Sequence, residues 1–142
     1  MIVIQDIDET PGYGAFWGEV NSAIHMGLGC VGLVTDGGVR DLPDIAEGFQ
    51  MLAGRVVPSH ASVHVVDFGR PLNVAGMRVR DGDLIHADQH GAVVIPHEVA
   101  DGVKAAAQRV QARERIIIEA ARQPGFNLEK LRAAQGRAAE LH

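Results

Sequence analysis

The apolar and polar positions at the start of the chain change period several times. Residues 2–7, IVIQDI, alternate apolar and polar side chains and predict a strand. Residues 9–16, ETPGYGAF, gather turn formers and predict a loop. From Trp17 to Met26 the spacing becomes helical, with Val20, Ala23, Ile24 and Gly27 on one face, and Gly27 and Gly29 predict its end. Residues 30–35, CVGLVT, form a short apolar run of the kind found in buried parallel strands. Residues 42–49 predict a short helix with Pro43 in its first turn, where a missing N–H costs nothing. This strand–helix–strand–helix order predicts an α/β fold with right-handed crossovers.

The pattern changes again from residue 51 to 96. Short β-rich runs are separated by the turn signals DFGRP, VAGM, RDGD and DQHG. Such spacing predicts a small, strongly curved sheet or barrel rather than more βαβ units. From Glu98 to about Ala121 a long helix follows, with Val99, Val103, Ala106, Val110, Ile117, Ile118 and Ala121 as its apolar stripe. The QPGFN stretch breaks it, and a final helix begins with Asn127 as N-cap. No internal repeat or low-complexity segment interrupts the chain.

Composition narrows the function classes. A chain of 142 residues predicts one domain, and 46% hydrophobic residues are enough for a core. The net charge of −5 argues against a nucleic-acid partner. An anionic substrate would need a local positive cluster to attract it against that field. The lone Cys30 excludes an internal disulfide and reads as a buried, inert thiol. The first residues lack the basic and apolar segments of a secretory signal, and no apolar run is long enough to span a bilayer. No membrane partner is expected, and the cytoplasm is the simplest location.

Three stretches could carry chemistry. In TDGGVRDLPDI, residues 35–45, Arg40 and Asp41 follow the C-terminal end of a buried strand, where open α/β folds bind ligands. Arg40 offers a planar fork of donors suited to a carboxylate. Asp41 and Asp44 could equally be the N-cap and third position of a short helix. In WGEVNSA, residues 17–23, Gly18 opens the backbone at a helix start, whose first N–H groups could receive an anion. Glu19 adds a carboxylate there, which could complement the helix dipole or hold a metal-bound water. The histidines are the third: His60 and His64 flank a β-rich run, and His86 and His90 bracket ADQ. The spacing of the last two suits metal ligation on a helix, but this segment reads as strand and turn, so structural roles are expected. Asp83 and Asp88 read as turn residues, and Phe16 and Trp17 as core or interface anchors.

Taken together, Glu19, twenty intervening residues, Arg40-Asp41, two more residues and Asp44 resemble the acidic-X20-R-D-X2-E/D motif of the 4-hydroxy-4-methyl-2-oxoglutarate aldolases. Those enzymes group with the regulator of ribonuclease activity A-like (RraA-like) proteins. The segments GEV…GLGCVGLVTDGGVRD and VAGMRVRDGDLIHADQHGAVVIP are similar to the same family, extending the resemblance over roughly residues 1 to 130. It starts near Met1, without the segment that precedes this point in the family.

The resemblance implies an α/β fold with a swivelling β/β/α barrel-type core and C-terminal helices, in a single domain over 1–142. It implies a homotrimer or hexamer with sites between subunits, acting on a small 2-keto acid of the pyruvate or oxaloacetate type. The implied activity is metal-dependent cleavage of 4-hydroxy-4-methyl-2-oxoglutarate or 4-carboxy-4-hydroxy-2-oxoadipate to pyruvate, with oxaloacetate decarboxylation as a related reaction. Mg²⁺ or Mn²⁺ would be the cofactor. Asp41 would ligate it directly, Glu19 and Asp44 through water, and Glu114 would come from an adjacent subunit. Arg40, with Gly18, Gly37 and the backbone N–H groups of Val20 and Asn21, would bind the substrate. The alternative is a non-catalytic regulator that binds a ribonuclease; such regulators tend to lack the aspartate of the R-D pair, which is present here.

Overall fold

The computed structural model describes residues 1–60 and 62–141. It divides into two compact units, Met1–His97 and Glu98–His142, and is mixed α/β.

The first unit weaves its early strands into two parallel sheets. Strands β1 (Ile2–Ile4), β3 (Gly32–Thr35) and β5 (Gln50–Leu52) form one, with β3 in the middle. Strands β2 (Ala15–Trp17), β4 (Gly38–Val39) and β6 (Arg55–Val56) form the other, with β4 in the middle. The chain therefore alternates between sheets, and the steps β3→β4 and β5→β6 take only two or so residues. Glycine makes those steps possible. A Cβ on Gly54 would run into the Asp36 carbonyl, and one on Gly38 would meet Val57 and the Gly14 carbonyl. Helix α1 (Glu19–Gly27) links β2 to β3. Two antiparallel hairpins follow, β7 (Leu72–Val74) with β8 (Met77–Val79), and β9 (Leu84–Asp88) with β10 (Gly91–Ile95). The VAGM signal is the first turn, with Ala75 and Gly76 both at positive φ, as a two-residue hairpin loop requires.

The core of this unit is Trp17, Leu33, Val39 and Phe49, with Ile2, Ile4, Phe16, Met26 and Ile45 packed around it. Trp17 stacks on Phe49 with ring centroids 5.9 Å apart. Cys30 is half-buried against the same cluster.

Several boundaries differ from the sequence expectation, and three of them have a visible cause. The first strand stops at Ile4 because Asp6 turns to loop chemistry: its N–H goes to the Asp36 carboxylate at 2.7 Å, and its own carboxylate accepts from Gly12 N–H. Trp17 ends a strand and does not start the helix, because burial against Phe49 and pairing with Val39 outweigh its place in the helical spacing. The helix expected over 42–49 shrinks to a 3₁₀ turn, Leu42–Asp44. Ala46 N–H is taken by the hydroxyl of the fully buried Ser22 at 2.9 Å, and Gly48 adopts φ 84°, so no helical ladder continues.

The second unit is a helical hairpin, α2 (Ala100–Ala121) and α3 (Leu128–Ala139), entered through a 3₁₀ turn at His97–Val99. Asn127 caps α3 as expected, its side chain accepting from Lys130 N–H at 3.0 Å. The two helices meet through Ala134 and Ala138, and Arg113 Nε donates to the Ala138 carbonyl. Of the expected α2 stripe, Val103, Val110 and Ile118 are exposed and Ile117 is partly covered.

Candidate functional site

The site grows from the end of β4. Arg40 N–H donates to the Trp17 carbonyl at 2.9 Å, which ties the residue after β4 to the residue before Gly18. Asp41 then adopts φ 56°, ψ 36°, in the left-handed region that costs most non-glycine residues about 1 kcal/mol. This turn sends its carboxylate back toward α1. Asp41 Oδ2 lies 3.2 Å from Arg40 Nε and 3.4 Å from Glu19 N–H, a long contact at the first residue of the helix. Asp41 therefore does not cap its own 3₁₀ turn, correcting the capping expectation: no side-chain cap bond forms there, and only its carbonyl accepts from Asp44 N–H.

Gly18 makes the convergence possible. Its φ of −163° is open to any residue, so its requirement is space: a Cβ would fall on the Asp41 carboxylate and within 3.2 Å of the Arg40 guanidinium. The first intrahelical bond of α1 runs from Ser22 N–H to the Gly18 carbonyl at 3.1 Å. The N–H groups of Val20 and Asn21 precede that ladder and point out of the helix start. The Asn21 side chain donates to the Phe16 carbonyl at 2.7 Å, which fixes the entry to the helix.

Arg40 is the most constrained charge of the group. Its side chain is only 15% exposed. Besides Asp41, it donates from Nη1 to the Ala15 carbonyl at 3.0 Å, and Nη2 lies 2.8 Å from His60 Nε2. His60 is the member that the motif does not include. Its place depends on residues 59–60 running parallel beside Ala15, a pairing no local spacing announces.

Among the described residues, the other expected side chains take no part in these hydrogen bonds and ion pairs. Glu19 and Asp44 have exposed side chains flanking them, on α1 and on the 3₁₀ turn. The space beside Gly37 is filled by the chain itself, since a Cβ there would meet Thr35 Oγ1 and the Asp6 carboxylate at 3.2–3.3 Å. Glu114 belongs to the helical unit, in a groove lined with Val110, Arg113, Ile117 and Gln135. His86 and His90 both face Asp88 on the β9–β10 hairpin, with Oδ2 at 3.8 and 3.3 Å from their rings. The His90 backbone N–H, then its ring, hold the Asp88 carboxyl below the usual carboxylate value. Among the described residues, no three His, Cys, Asp or Glu side chains converge into a metal-holding group. Nor is any of their helices long and apolar enough to cross a membrane.

A family model described as RraA-like, Aldolase/RraA, matches residues 1–94. A Halalkalibacterium halodurans protein provisionally named 4-hydroxy-4-methyl-2-oxoglutarate aldolase is 32% identical over 96 residues, covering 63% of this chain and 46% of its own length. The crystal structure of an uncharacterized Pseudomonas syringae pv. tomato protein superposes with TM-score 0.70 at 28% identity, covering 92% of this chain and 62% of the other. A Streptomyces coelicolor structure, described as an unusual member of the RNase ES inhibitor RraA protein family, gives TM-score 0.58 at 28% identity, covering 79% and 59%. The chain spans about half the length of the curated relatives it matches.

Proposed function

The chain belongs to the RraA-like family described as Aldolase/RraA, and on that premise we propose that it is a divalent-metal-dependent lyase releasing pyruvate from 4-hydroxy-4-methyl-2-oxoglutarate or 4-carboxy-4-hydroxy-2-oxoadipate, with oxaloacetate decarboxylase activity. The observation that carries this reading is the fold-back of Arg40 and Asp41 onto Gly18 and Glu19, which joins the two halves of the motif at one helix start.

The donor chemistry fits a hard cation. Asp41, Glu19 and Asp44 are all oxygen donors with solvent access, and Mg²⁺ keeps several waters while taking one or two carboxylates. Such a site needs no three converging protein ligands. Mg²⁺ or Mn²⁺, held by Asp41 directly and by Glu19 and Asp44 through water, would supply the Lewis acidity that offsets the negative charge of the pyruvate enolate.

The chain's own groups do the rest. Arg40 clamps a substrate carboxylate with the N–H groups that Asp41, Ala15 and His60 leave over. The Val20 and Asn21 N–H groups hold the pyruvyl carboxylate at the positive end of α1. Both sets of donors are fixed before substrate arrives, so little reorganisation opposes charge development. Glu114 from a neighbouring copy in a trimer or hexamer is the further acid in this scheme.

The test is pyruvate release from oxaloacetate and from 4-hydroxy-4-methyl-2-oxoglutarate with Mg²⁺, and with a chelator added. Chelator-sensitive release above the metal-only background is expected; none for either substrate would sink the reading. The similarity to the Streptomyces RraA-family structure favours a second reading, a regulator that binds a ribonuclease. Asp41 separates the two: partner capture unaffected by Asp41→Ala, in a protein without turnover, would favour the regulator.

A further inference from the structure

Arg40 Nη2 lies 2.8 Å from His60 Nε2. A guanidinium carries donors only and stays protonated in proteins, so the imidazole nitrogen must accept. His60 is then neutral, with its proton on Nδ1. We propose that His60 is a positioning residue of the Arg40–Asp41 site, fixing the plane of the guanidinium so that its remaining N–H groups meet the substrate carboxylate. The proposal rests on the lyase reading of that site.

The contact is built by the fold. His60 is twenty residues from Arg40, and the pairing of β6 with β4 and of residues 59–60 with Ala15 brings it there. Ala15 N–H donates to the Ser59 carbonyl at 2.9 Å, while the Ala15 carbonyl accepts from Arg40 Nη1 at 3.0 Å. One residue of β2 thus holds both the guanidinium and the strand that carries the ring. With Asp41 on Nε, each guanidinium nitrogen has one contact among the described residues. One N–H on each η nitrogen is left, the number a bidentate carboxylate takes. The lone pair of His60 Nε2 is engaged by Arg40. While the contact stands, that nitrogen is neither a metal ligand nor a base.

Two measurements test this. Long-range ¹H–¹⁵N correlation spectra of the labelled wild-type protein, assigned with His60→Gln, read the tautomer. A His60 ring protonated on Nδ1 and bare at Nε2 is expected; a ring protonated on Nε2 overturns the proposal whatever the protein catalyses. The second measurement is kinetic. His60→Ala should raise KM for oxaloacetate about tenfold while kcat changes less than about threefold, the loss expected for one hydrogen bond to a charged group. His60→Gln, whose amide oxygen can accept the same bond, should recover most of that KM. A wild-type KM in His60→Ala, or an equal loss in both variants, overturns the proposal. If the wild type releases no pyruvate, the lyase reading fails by itself. Affinity for oxalate, measured by calorimetry in wild type and His60→Ala, then decides the positioning role, and an unchanged affinity overturns it.

Discussion

The Arg40 cluster and the histidine turn at residues 86–90 are both groups of ionisable side chains, and they are held in opposite ways. The turn is local: His86, Asp88 and His90 sit on one hairpin, and their contacts span two residues of sequence and lie in solvent. The Arg40 cluster is non-local. It draws on β2, the start of α1, the end of β4 and residue 60, and it holds a guanidinium that is mostly covered. As a string of letters the histidine turn has a four-residue spacing that suits metal ligation on a helix, but it reads as strand and turn. As an object the Arg40 cluster is the better prepared, because its geometry is fixed by backbone that the fold has already paired.

That contrast can be broken at several points. The largest effect is expected from Asp41→Ala, which should lower metal-dependent turnover by about a thousandfold, near the upper range for losing a central charge stabiliser. Near-wild-type pyruvate release would remove Asp41 from its role. Next is Gly18→Ala, which places a methyl on the Asp41 carboxylate. Turnover should fall about a hundredfold, and stability by about 1–3 kcal/mol in thermal unfolding. Gly27→Ala is the control, since nothing lies within 4 Å of a Cβ there. It should be neutral or stabilising by up to about 1 kcal/mol, and equal behaviour of the two glycine variants would refute the steric account.

Asp41→Gly sharpens the comparison in another way. Glycine adopts φ 56° without penalty, so this inactive variant should resist urea better than Asp41→Ala by about 1 kcal/mol. If the two unfold together, the left-handed turn stores no strain. The smallest effect is expected at the hairpin. Asp88→Asn should leave turnover unchanged. Because the Asp88 carboxyl is held below its ordinary 3.8, its contribution to stability is present above that value and is lost as pH falls through the lowered one. Urea midpoints between neutral and acidic pH should therefore show a slightly shallower acid loss in the variant.

Much of this was legible in the sequence, for identifiable reasons. Helical periodicity and an Asn cap placed α2 and α3, and apolar runs between turn formers placed β3 and the two hairpins. The motif spacing marked Glu19, Arg40, Asp41 and Asp44 as a group, of which the Asp44 side chain stays exposed on its turn. What was not legible depended on contacts far apart in sequence. Trp17 fits a helix by spacing but is buried in a strand against Phe49. Residues 45–49 fit a helix until the Ser22 hydroxyl takes the Ala46 N–H. His60 stood among the candidate histidines, but no spacing tied it to Arg40, since that link comes from pairing far apart in sequence.

Trp17 has one more consequence, an optical one. It is the single tryptophan of the chain, 2% exposed, and its indole lies 4.6 Å from the His25 ring and stacks on Phe49. Its carbonyl holds Arg40 N–H, and the next residue is Gly18. With excitation beyond the absorption edge of Tyr13, emission from this protein is therefore that of one fluorophore seated directly behind the site. It should be blue-shifted in the native state, and any ligand that moves Gly18 or Arg40 can be followed by its intensity, with no label and no coupled assay.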